Sequence, residues 1–270
     1  MNWMTKLLRC IKCDGDLVLM ERRKLKCVKC GKIYPIREDI PIIMPEKDVE
    51  ELENVKVFNE LVDRYDSWFV SEKGSILFKN EVRALQIALK GIKLGQSMEI
   101  GVGTGMFAKE LGIGYGLDPA WQPLLLAKKR GIKVVQGIAE EMPFKNEIFD
   151  TEFLIVTICF LENPIKALKE AHRTLRNGGY LIIGFVDKES PWGQFYLEKK
   201  RKGHPFYRVA KFYSILDINR MLKRTGFSIR KIVSTLLQKP TTKPVTEEPV
   251  SGLVREAGFK IVIAQKSVVW

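Results

Sequence analysis

The sequence predicts an α/β fold in which a doubly wound, mostly parallel sheet of seven strands follows a small cysteine-rich unit. From residue 97 onward, short apolar strands alternate with helical segments, and repeated β-α-β units build parallel sheets with helices on both faces. Ahead of that pattern, two Cys-x-x-Cys pairs occur within the first 30 residues. A unit of that size cannot bury enough apolar surface to fold by itself.

Composition excludes several classes of protein. Of the 270 residues, 46% are hydrophobic and 29% are charged, which is ordinary for a soluble globular protein. The longest apolar stretch, 153–161, is far shorter than the ~20 residues of a membrane-spanning helix. The N-terminus contains no apolar run long enough for a signal peptide. We therefore expect a soluble, cytoplasmic protein that has no membrane partner.

Basic charge is concentrated towards the two ends of the chain. Residues 1–45 carry ten basic and five acidic side chains, residues 46–186 carry 18 and 20, and residues 187–270 carry 17 and seven. Segregated basic charge suggests surfaces that meet a polyanion such as RNA. A Lys/Glu-rich composition of the thermophile type would give the same excess on solvated faces that bind nothing.

Four of the five cysteines have the spacing of a zinc site. Cys10 and Cys13 form one Cys-x-x-Cys pair, and Cys27 and Cys30 form the other. Four thiolates at this spacing complete a tetrahedral structural site. The run between the pairs predicts a hairpin, with its first strand at 17–20. Two disulfides are the alternative, which a reducing cytosol disfavours.

The cysteine segment resembles a known small domain. Its two pairs, with Tyr34-Pro35-Ile36 and Asp39-Ile40-Pro41-Ile42, are similar to the zinc ribbon of the activator that accompanies some tRNA and translation-factor methyltransferases. The resemblance implies a structural zinc ribbon over residues 1–45. It also implies a surface on which a protein partner could dock.

The predicted strands are short and rich in apolar residues. In chain order they are 97–102, 115–118, 134–136, 153–156, 180–185, 227–236 and 259–264. The fourth is apolar throughout, as expected for a parallel strand with both faces buried.

Helices are predicted around these strands. One lies near 65–69, and the others are 106–111, 120–130, one that begins at 163 and one over 214–226. Asn163-Pro164 is a typical helix start. The helix that begins there carries Leu175 on its apolar face, and Asn177-Gly178-Gly179 is predicted to end it.

The turn after the first strand of the sheet reads Glu99-x-Gly101-x-Gly103-x-Gly105. Glycines in such a turn let a ligand approach the backbone closely. A dinucleotide fingerprint needs a small residue where this chain has Met106, and a phosphate loop needs a Gly-Lys-Ser/Thr ending that this turn lacks. The motif resembles motif I of class I S-adenosylmethionine (SAM) methyltransferases, whose sheet is Rossmann-like.

The resemblance covers most of 65–186 and is greatest to the type 11 branch, which includes ubiquinone- and menaquinone-biosynthesis methyltransferases. The stretches 137–144 and 170–179 are typical of that branch. The resemblance implies SAM as the cofactor. The residues implied to bind it are Tyr65, Glu99, Gly101, Gly103, Gly105, Asp118, Pro119, Ile138, Ala139 and Thr157.

The resemblance also implies roles for these residues. Asp118, which closes the second strand, accepts hydrogen bonds from both ribose hydroxyls. Glu99 organises the glycine turn and attracts the cationic methionine end, and Tyr65 folds over the cofactor. The aspartate that binds the adenine amino group in the family is Ile138 here. Adenine is therefore expected to be held by packing and by the Ala139 backbone N–H.

The acceptor site is less defined. Thr157-Ile158-Cys159-Phe160 occupies the place of motif IV, and it lacks the Asn/Asp-Pro-Pro-Tyr of enzymes that methylate base amines or glutamine amides. That chemistry is therefore disfavoured. Cys159 suits a nucleophile, a metalloid ligand or a buried apolar thiol. No catalytic residue is predicted, because aligning a nucleophile with an activated methyl group needs little else.

We divide the chain into a zinc ribbon (1–45), a helical segment that covers the cofactor site (46–95) and a methyltransferase core (96–270). The core contains a basic, aromatic insertion (187–213) and a proline-containing loop (239–252). Basic residues interleaved with aromatic ones suit stacking on RNA bases. They suit an aromatic lid over a small molecule equally well.

Three functions remain open. The resemblance of the core favours methyl transfer from SAM to a small molecule. An rRNA or tRNA methyltransferase would use the zinc ribbon and the basic flanks to dock RNA. A non-catalytic SAM-binding module would dock a partner protein through the ribbon. The sequence predicts neither the acceptor nor the oligomeric state, because this fold serves many substrates.

Overall fold

The computed structural model describes residues 3–21, 23–46 and 49–267. Residues 1, 2, 22, 47, 48 and 268–270, which fall within the three predicted segments, lie outside the described part. Within the described ranges, no helix combines the length and the apolar character needed to cross a bilayer.

The N-terminal unit is a short helix followed by a four-stranded antiparallel sheet. Its elements are α1 (Trp3–Leu7), β1 (Leu17–Met20), β2 (Lys24–Cys27), β3 (Ile33–Arg37) and β4 (Ile40–Pro41). The predicted hairpin is formed by β1 and β2, with Val18 opposite Lys26. β1 buries only Leu17, so this sheet depends on other interactions for its stability.

Three helices follow the N-terminal unit: α2 (Glu53–Glu60), α3 (Val62–Trp68) and α4 (Glu72–Ala88). The helix predicted near 65–69 is α3. α4 begins after Ser71, whose hydroxyl oxygen accepts a hydrogen bond of 3.1 Å from the Gly74 N–H. That bond satisfies one of the N–H groups that the first turn of a helix leaves unpaired.

The large sheet has eight strands in the described part of the chain. They are β5 (Ser97–Ile100), β6 (Tyr115–Asp118), β7 (Lys133–Gln136), β8 (Phe149–Ile155), β9 (Leu175–Val186), β10 (Phe227–Thr235), β11 (Val250–Ser251) and β12 (Phe259–Lys266). Their spatial order is β11-β10-β12-β9-β8-β5-β6-β7. The strands from β9 to β7 are parallel, and those from β11 to β9 are antiparallel. The seven predicted strands are confirmed, and the proline-containing loop adds β11 at the edge.

Helices cover both faces of this sheet, as predicted. They are α5 (Met106–Leu111), α6 (Trp121–Lys129), α7 (Pro164–Thr174), α8 (Pro191–Arg201) and α9 (Ile215–Arg224). Along β9, Leu181 and Ile183 join the apolar core shared with α7 and α9, whereas Ile182 joins the core shared with α4, α5 and α6. This alternation is the two-residue period of a strand that is buried on both faces.

α7 begins where the sequence predicts but ends earlier. The Asn163 side chain accepts a hydrogen bond of 3.0 Å from the Lys166 N–H, so the predicted cap is confirmed. The predicted end at 177–179 is wrong, because the helix ends at Thr174. The Thr174 carbonyl accepts a hydrogen bond of 2.8 Å from the Ile148 N–H, so a neighbouring loop replaces the next helical turn.

The Asn-Gly-Gly run that was expected to stop α7 instead interrupts the register of β9. Leu175, expected on the helix, pairs with Phe149, and the next pair joins Tyr180 to Thr151. Gly178, within the extra length of β9, has a φ of +74°. Glycine adopts that conformation without strain, and bulges of this kind bend a strand locally.

Backbone hydrogen bonds join the N-terminal unit to the rest of the protein at two places, one before and one after the small sheet in the chain. The Arg9 N–H donates to the Pro143 carbonyl and the Ile43 N–H donates to the Gln136 carbonyl, both at 2.9 Å. Leu8 is fully buried in the core that the two sheets share. The cysteine-rich unit therefore packs beside β7 and the segment 137–145 that follows it.

Candidate functional site

The glycine turn between β5 and α5 lies next to an open space. Gly101, Gly103 and Gly105 have φ values of +71°, +51° and +81°, a region that favours glycine. A Cβ at Gly101 would lie 2.2 Å from Thr157, whereas a Cβ at Gly103 would meet only Tyr65, at 3.8 Å. Gly103 is therefore the glycine that leaves the backbone open to a ligand.

This open space, which we call the glycine-loop cavity, lies at the carboxyl ends of β5, β6 and β8. Its empty volume is about 880 Å³, counting the part that opens to solvent. Ligands of open α/β sheets bind at this end of the strands. Eight of the ten residues predicted to bind the cofactor line it: Tyr65, Gly101, Gly103, Asp118, Pro119, Ile138, Ala139 and Thr157.

Asp118 ends β6 with its carboxylate at the wall of the glycine-loop cavity. Oδ2 accepts a hydrogen bond from the Gly103 N–H and Oδ1 accepts one from the Ala120 N–H, both at 2.9 Å. Burial raises the pKa of Asp118 to about 6, and the two hydrogen bonds oppose that rise. Each carboxylate oxygen has room for a second donor. The arrangement therefore suits a ligand that presents two adjacent hydroxyl groups.

Glu99 and Gly105, the other two predicted residues, do not line the cavity. A Cβ at Gly105 would lie 2.5 Å from Ile132, so close packing against the following helix and strand accounts for this glycine. Glu99 is only 2% exposed, and its Oε2 has no hydrogen-bond partner among the described residues. Burial raises the pKa of Glu99 well above its usual range, and Asp118 adds to that rise.

Sequence reasoning missed the apolar wall that α2 and the residue before it contribute. Leu52, Val55 and Phe58 line the glycine-loop cavity, and Val55 packs in a cluster with Val49 and Ile138. Their three-residue spacing is the signal of a helix face and could have identified them. Ile138 thus stands in an apolar environment, which fits the expectation that a flat ring binds there by packing.

Tyr65 is held at the boundary of the cavity by its neighbours. Arg130 forms an ion pair of 2.7 Å with Asp66, which ties α3 to the end of α6. The Tyr65 ring makes edge contacts with Phe58 and Phe69, each with 5.3 Å between ring centroids. Burial raises the pKa of Tyr65 well above its usual range, so the hydroxyl remains protonated.

A second and larger cavity, which we call the aromatic cavity, adjoins the first. Its empty volume is about 1510 Å³, counting the part that opens to solvent. Four residues line both cavities, so the two spaces meet there: Phe58, Tyr65, Val156 and Phe160. Rings from the 187–213 insertion form much of the remaining wall: Tyr196, Phe206, Tyr207, Phe212 and Tyr213. Five of the seven Phe, Tyr and Trp residues of the insertion therefore face this cavity.

Ionisable side chains from α4 and from the 187–213 insertion line the aromatic cavity. Glu81, on α4, is 7% exposed, and burial raises its pKa to about 8. Lys199 and His204 line the part formed by the insertion. Burial lowers the pKa of both basic groups, with Lys73 adding to the effect on Lys199. Neither Glu81 nor Lys199 was singled out from the sequence.

Cys159 lies half-buried in the wall of the aromatic cavity. Its Sγ donates a weak hydrogen bond of 3.5 Å to the Val156 carbonyl. Burial raises the pKa of Cys159 to about 12. A thiol with such a pKa carries almost no thiolate at neutral pH, which favours the apolar-thiol alternative over a nucleophile.

The four cysteines of the N-terminal unit converge on one point. Their Sγ atoms all lie within 4.8 Å of one another, with 3.7 Å between Cys10 and Cys30 and 3.5 Å between Cys13 and Cys27. Thiolates bound at ~2.3 Å to a tetrahedral zinc ion lie about 3.8 Å apart. The same distances are far too long for disulfides. The four side chains therefore fit a closed structural zinc site.

The surroundings of these thiolates also suit a metal. The Tyr34 hydroxyl lies 3.1 Å from the Cys10 Sγ, and the Cys30 N–H donates to the Cys27 Sγ at 3.5 Å. Hydrogen bonds of this kind orient metal ligands and balance their charge. A Cβ at Gly15 would lie 2.8 Å from the Cys27 Sγ, so only glycine leaves room for the cluster.

Comparison with known proteins relates the chain to methyltransferases. Residues 98–183 match the family described as a methyltransferase domain. An uncharacterized protein of Methanocaldococcus jannaschii is 40% identical over 213 residues, which cover 78% of this chain and 100% of that protein. The crystal structure of a SAM-dependent methyltransferase from Thermotoga maritima is 36% identical, with a TM-score of 0.73, over 79% of this chain and 100% of that one. A demethylmenaquinone methyltransferase of Chlorobaculum tepidum is 23% identical over 76% of this chain and 83% of that protein.

Proposed function

Because the chain belongs to the SAM-dependent methyltransferase family, we propose that it methylates a small aromatic molecule bound in the aromatic cavity. When bound, SAM supplies a methyl group that its sulfonium sulfur already activates. The residues of this chain then have to bind the two partners, align them and exclude water.

The cofactor would occupy the glycine-loop cavity. Asp118 would accept hydrogen bonds from the ribose hydroxyls, and the apolar cluster around Ile138 would pack on adenine. The open backbone at Gly103 would let the ribose and the methionine chain approach the glycine turn closely. The buried Glu99 would organise that turn through the hydrogen bond that it accepts from the Ala108 backbone. Tyr65, at the boundary, would face the sulfonium, which aromatic rings attract.

One observation carries the choice of acceptor: the glycine-loop cavity continues into the aromatic cavity. Phe58, Tyr65, Val156 and Phe160 line both, so an acceptor in the second space would approach the cofactor across this boundary. A concave space lined with rings and a few polar groups is typical of small-molecule sites. A nucleic acid would need an exposed basic groove instead.

The basic C-terminal segment supports RNA binding less than its charge suggests. Lys188 pairs with Asp217 at 2.6 Å, and the buried Lys260 pairs with Asp187 at 3.1 Å. Lys200 donates a hydrogen bond of 2.6 Å to a backbone carbonyl. These cations are used within the fold, and their charge is not free for phosphate groups.

The names of two similar proteins agree with a small acceptor. The Thermotoga maritima protein is described as a possible histamine N-methyltransferase, and the Chlorobaculum tepidum protein acts on demethylmenaquinone by its name. Both acceptors are small molecules. The two names denote different chemistries, so they support a size class and not one compound.

Methyl-labelled SAM incubated with the protein and a cell extract tests the proposal. We expect the label in the small-molecule fraction, unchanged by ribonuclease. Label in a ribonuclease-sensitive polymer would replace the proposal with RNA methylation. Retained SAM binding without any transfer of label would indicate a binding module. A Gly103→Val variant, which fills the open side of the glycine turn, is the matched negative control.

Cofactor affinity is expected to depend on pH through Asp118. The Asp118 carboxylate accepts hydrogen bonds on both oxygens only when it is ionised, and its pKa is about 6. Affinity for S-adenosylhomocysteine should therefore be constant well above that pH and fall by up to about tenfold per pH unit below it. Calorimetric titration across this range measures the effect. A flat profile would contradict the role given to Asp118.

A further inference from the structure

Glu81 is an acid on the buried face of α4. The residues three and four positions away, which share its face of the helix, are apolar and buried: Leu77, Phe78, Ala84 and Leu85. The side chain is 7% exposed and lines the aromatic cavity. Burying an ionisable group costs free energy unless a partner compensates it. Helix packing therefore does not explain why a carboxyl group stands here.

Glu81 has no partner of its own. Among the described residues, no hydrogen bond and no ion pair reaches its carboxyl group. Burial alone raises its pKa to about 8, with no cation opposing the rise. Three tyrosines lie close enough for the charge of Glu81 to raise their pKa: Tyr65, Tyr196 and Tyr207. None of the three donates a hydrogen bond to Glu81.

The basic groups of the aromatic cavity do not pair with Glu81. Lys199 Nζ lies over the Phe195 ring, 4.7 Å from its centroid, and it also lies 5.9 Å and 5.8 Å from the centroids of the Tyr196 and Tyr207 rings. Among the described residues, Lys199, Arg64 and His204 form no ion pair with Glu81. The carboxyl group therefore has no cationic partner within the cavity.

We propose that Glu81 binds the amino group of the methyl acceptor, which is therefore an amine attached to an aromatic body. This inference rests on the proposed function and deepens it. An ammonium group would supply the missing partner of the carboxylate. The rings of Tyr65, Tyr196 and Tyr207 suit a cation as well, because their faces are electronegative.

The same carboxylate would prepare the amine for reaction. An ammonium nitrogen has no free electron pair, so it must lose a proton before it can be methylated. Glu81 takes that proton and becomes a neutral carboxyl, and it later releases the proton to solvent. The nitrogen then forms its bond to the methyl carbon, with the electron pair of the broken carbon–sulfur bond left on sulfur. One proton leaves the site in each turnover.

Three probes of the same shape test the charge that the cavity selects. They are 2-phenylethylamine, 2-phenylethanol and phenylacetate, each titrated calorimetrically into the protein saturated with S-adenosylhomocysteine. We expect the amine to bind about 10- to 100-fold more tightly than the alcohol, the effect of one charge-assisted hydrogen bond. Phenylacetate should bind weakest. The Glu81→Gln variant should bind the amine no better than the alcohol.

Proton release is a second readout that a purely structural role would not change. Glu81 is mostly protonated at neutral pH, since its pKa is about 8, so pairing with an ammonium group expels its proton. Titrations in two buffers of different ionisation enthalpy should detect this release in the wild type and not in Glu81→Gln. Glu72→Gln is the matched control, because Glu72 lies exposed on the same helix. It should behave as the wild type.

The outcomes separate the two levels of the proposal. If the wild-type protein does not bind S-adenosylhomocysteine, the proposed function itself is overturned. Three other results, each obtained with a protein that does bind the cofactor, would overturn the amine assignment alone. They are equal affinity for the amine and the alcohol, no binding of the amine at millimolar concentration, and a preference for the amine that is unchanged in Glu81→Gln. Tightest binding of phenylacetate would do the same and assign selection to the basic side chains of the cavity.

Discussion

Replacing Asp118 with alanine is expected to weaken SAM binding by about 100-fold or more, the combined effect of losing two charge-assisted hydrogen bonds. The carboxylate has one open acceptor position on each oxygen, and its other positions are fixed by the Gly103 and Ala120 N–H groups. The substitution would also release those two N–H groups. Calorimetric titration of S-adenosylhomocysteine measures the loss.

The control for Asp118→Ala is Asp150→Ala. Asp150 also receives a hydrogen bond from a backbone N–H, that of Gln96 at 2.7 Å, but it lies near the amino end of the parallel strands. Its replacement should leave cofactor affinity unchanged. Circular dichroism should show that both variants are folded. Unchanged affinity in a folded Asp118→Ala variant would remove Asp118 from the cofactor site.

Replacing Cys10 with serine is expected to abolish zinc binding and to destabilise the N-terminal unit. The bound zinc should fall from about one ion per chain to near zero, because a structural site needs all four ligands. The melting temperature should fall by about 10 °C, since a structural metal contributes several kcal/mol to folding. Metal analysis and a thermal melt measure the two effects.

Cys159→Ser is the matched control for the zinc prediction. Cys159 is the remaining cysteine; it lines the aromatic cavity and does not belong to the cluster. Its replacement should leave the zinc content unchanged. Removing metal from the wild type with a chelator should reproduce the instability of Cys10→Ser. A metal-free wild type with a normal melting temperature would refute the zinc site.

Loss of the zinc ion should also disturb the cofactor cavity. Ile43, which leaves the ribbon sheet, donates a hydrogen bond to the Gln136 carbonyl at 2.9 Å. The next residue, Gly137, packs so closely that a Cβ there would lie 3.2 Å from the Ile43 carbonyl oxygen. Ile138 and Ala139 follow in the wall of the cavity. We therefore expect Cys10→Ser to lower cofactor affinity as well as stability.

The local motifs could be predicted from the sequence because their chemistry depends on residues that are close together in the chain. The glycine turn requires positive φ values at residues two apart, and a Cys-x-x-Cys pair holds two ligands on one turn. The end of α7 could not be predicted from the sequence, because Asn177-Gly178-Gly179 can equally stop a helix or form a bulge in a strand. The contacts of Thr174 and Leu175 with the loop and strand beside them decided between these two outcomes.

The sequence by itself determined the fold class, the cysteine cluster and eight of the residues that line the glycine-loop cavity. It could do so because periodicity and short motifs express backbone preferences directly. Only the tertiary structure decided that the rings of 187–213 face inward and that Glu81 stands unpartnered among them. The walls of the aromatic cavity come from α3, α4, the end of β8 and the insertion. Residues so far apart in the chain meet only through the packing of the sheet and its helices, which no local pattern encodes.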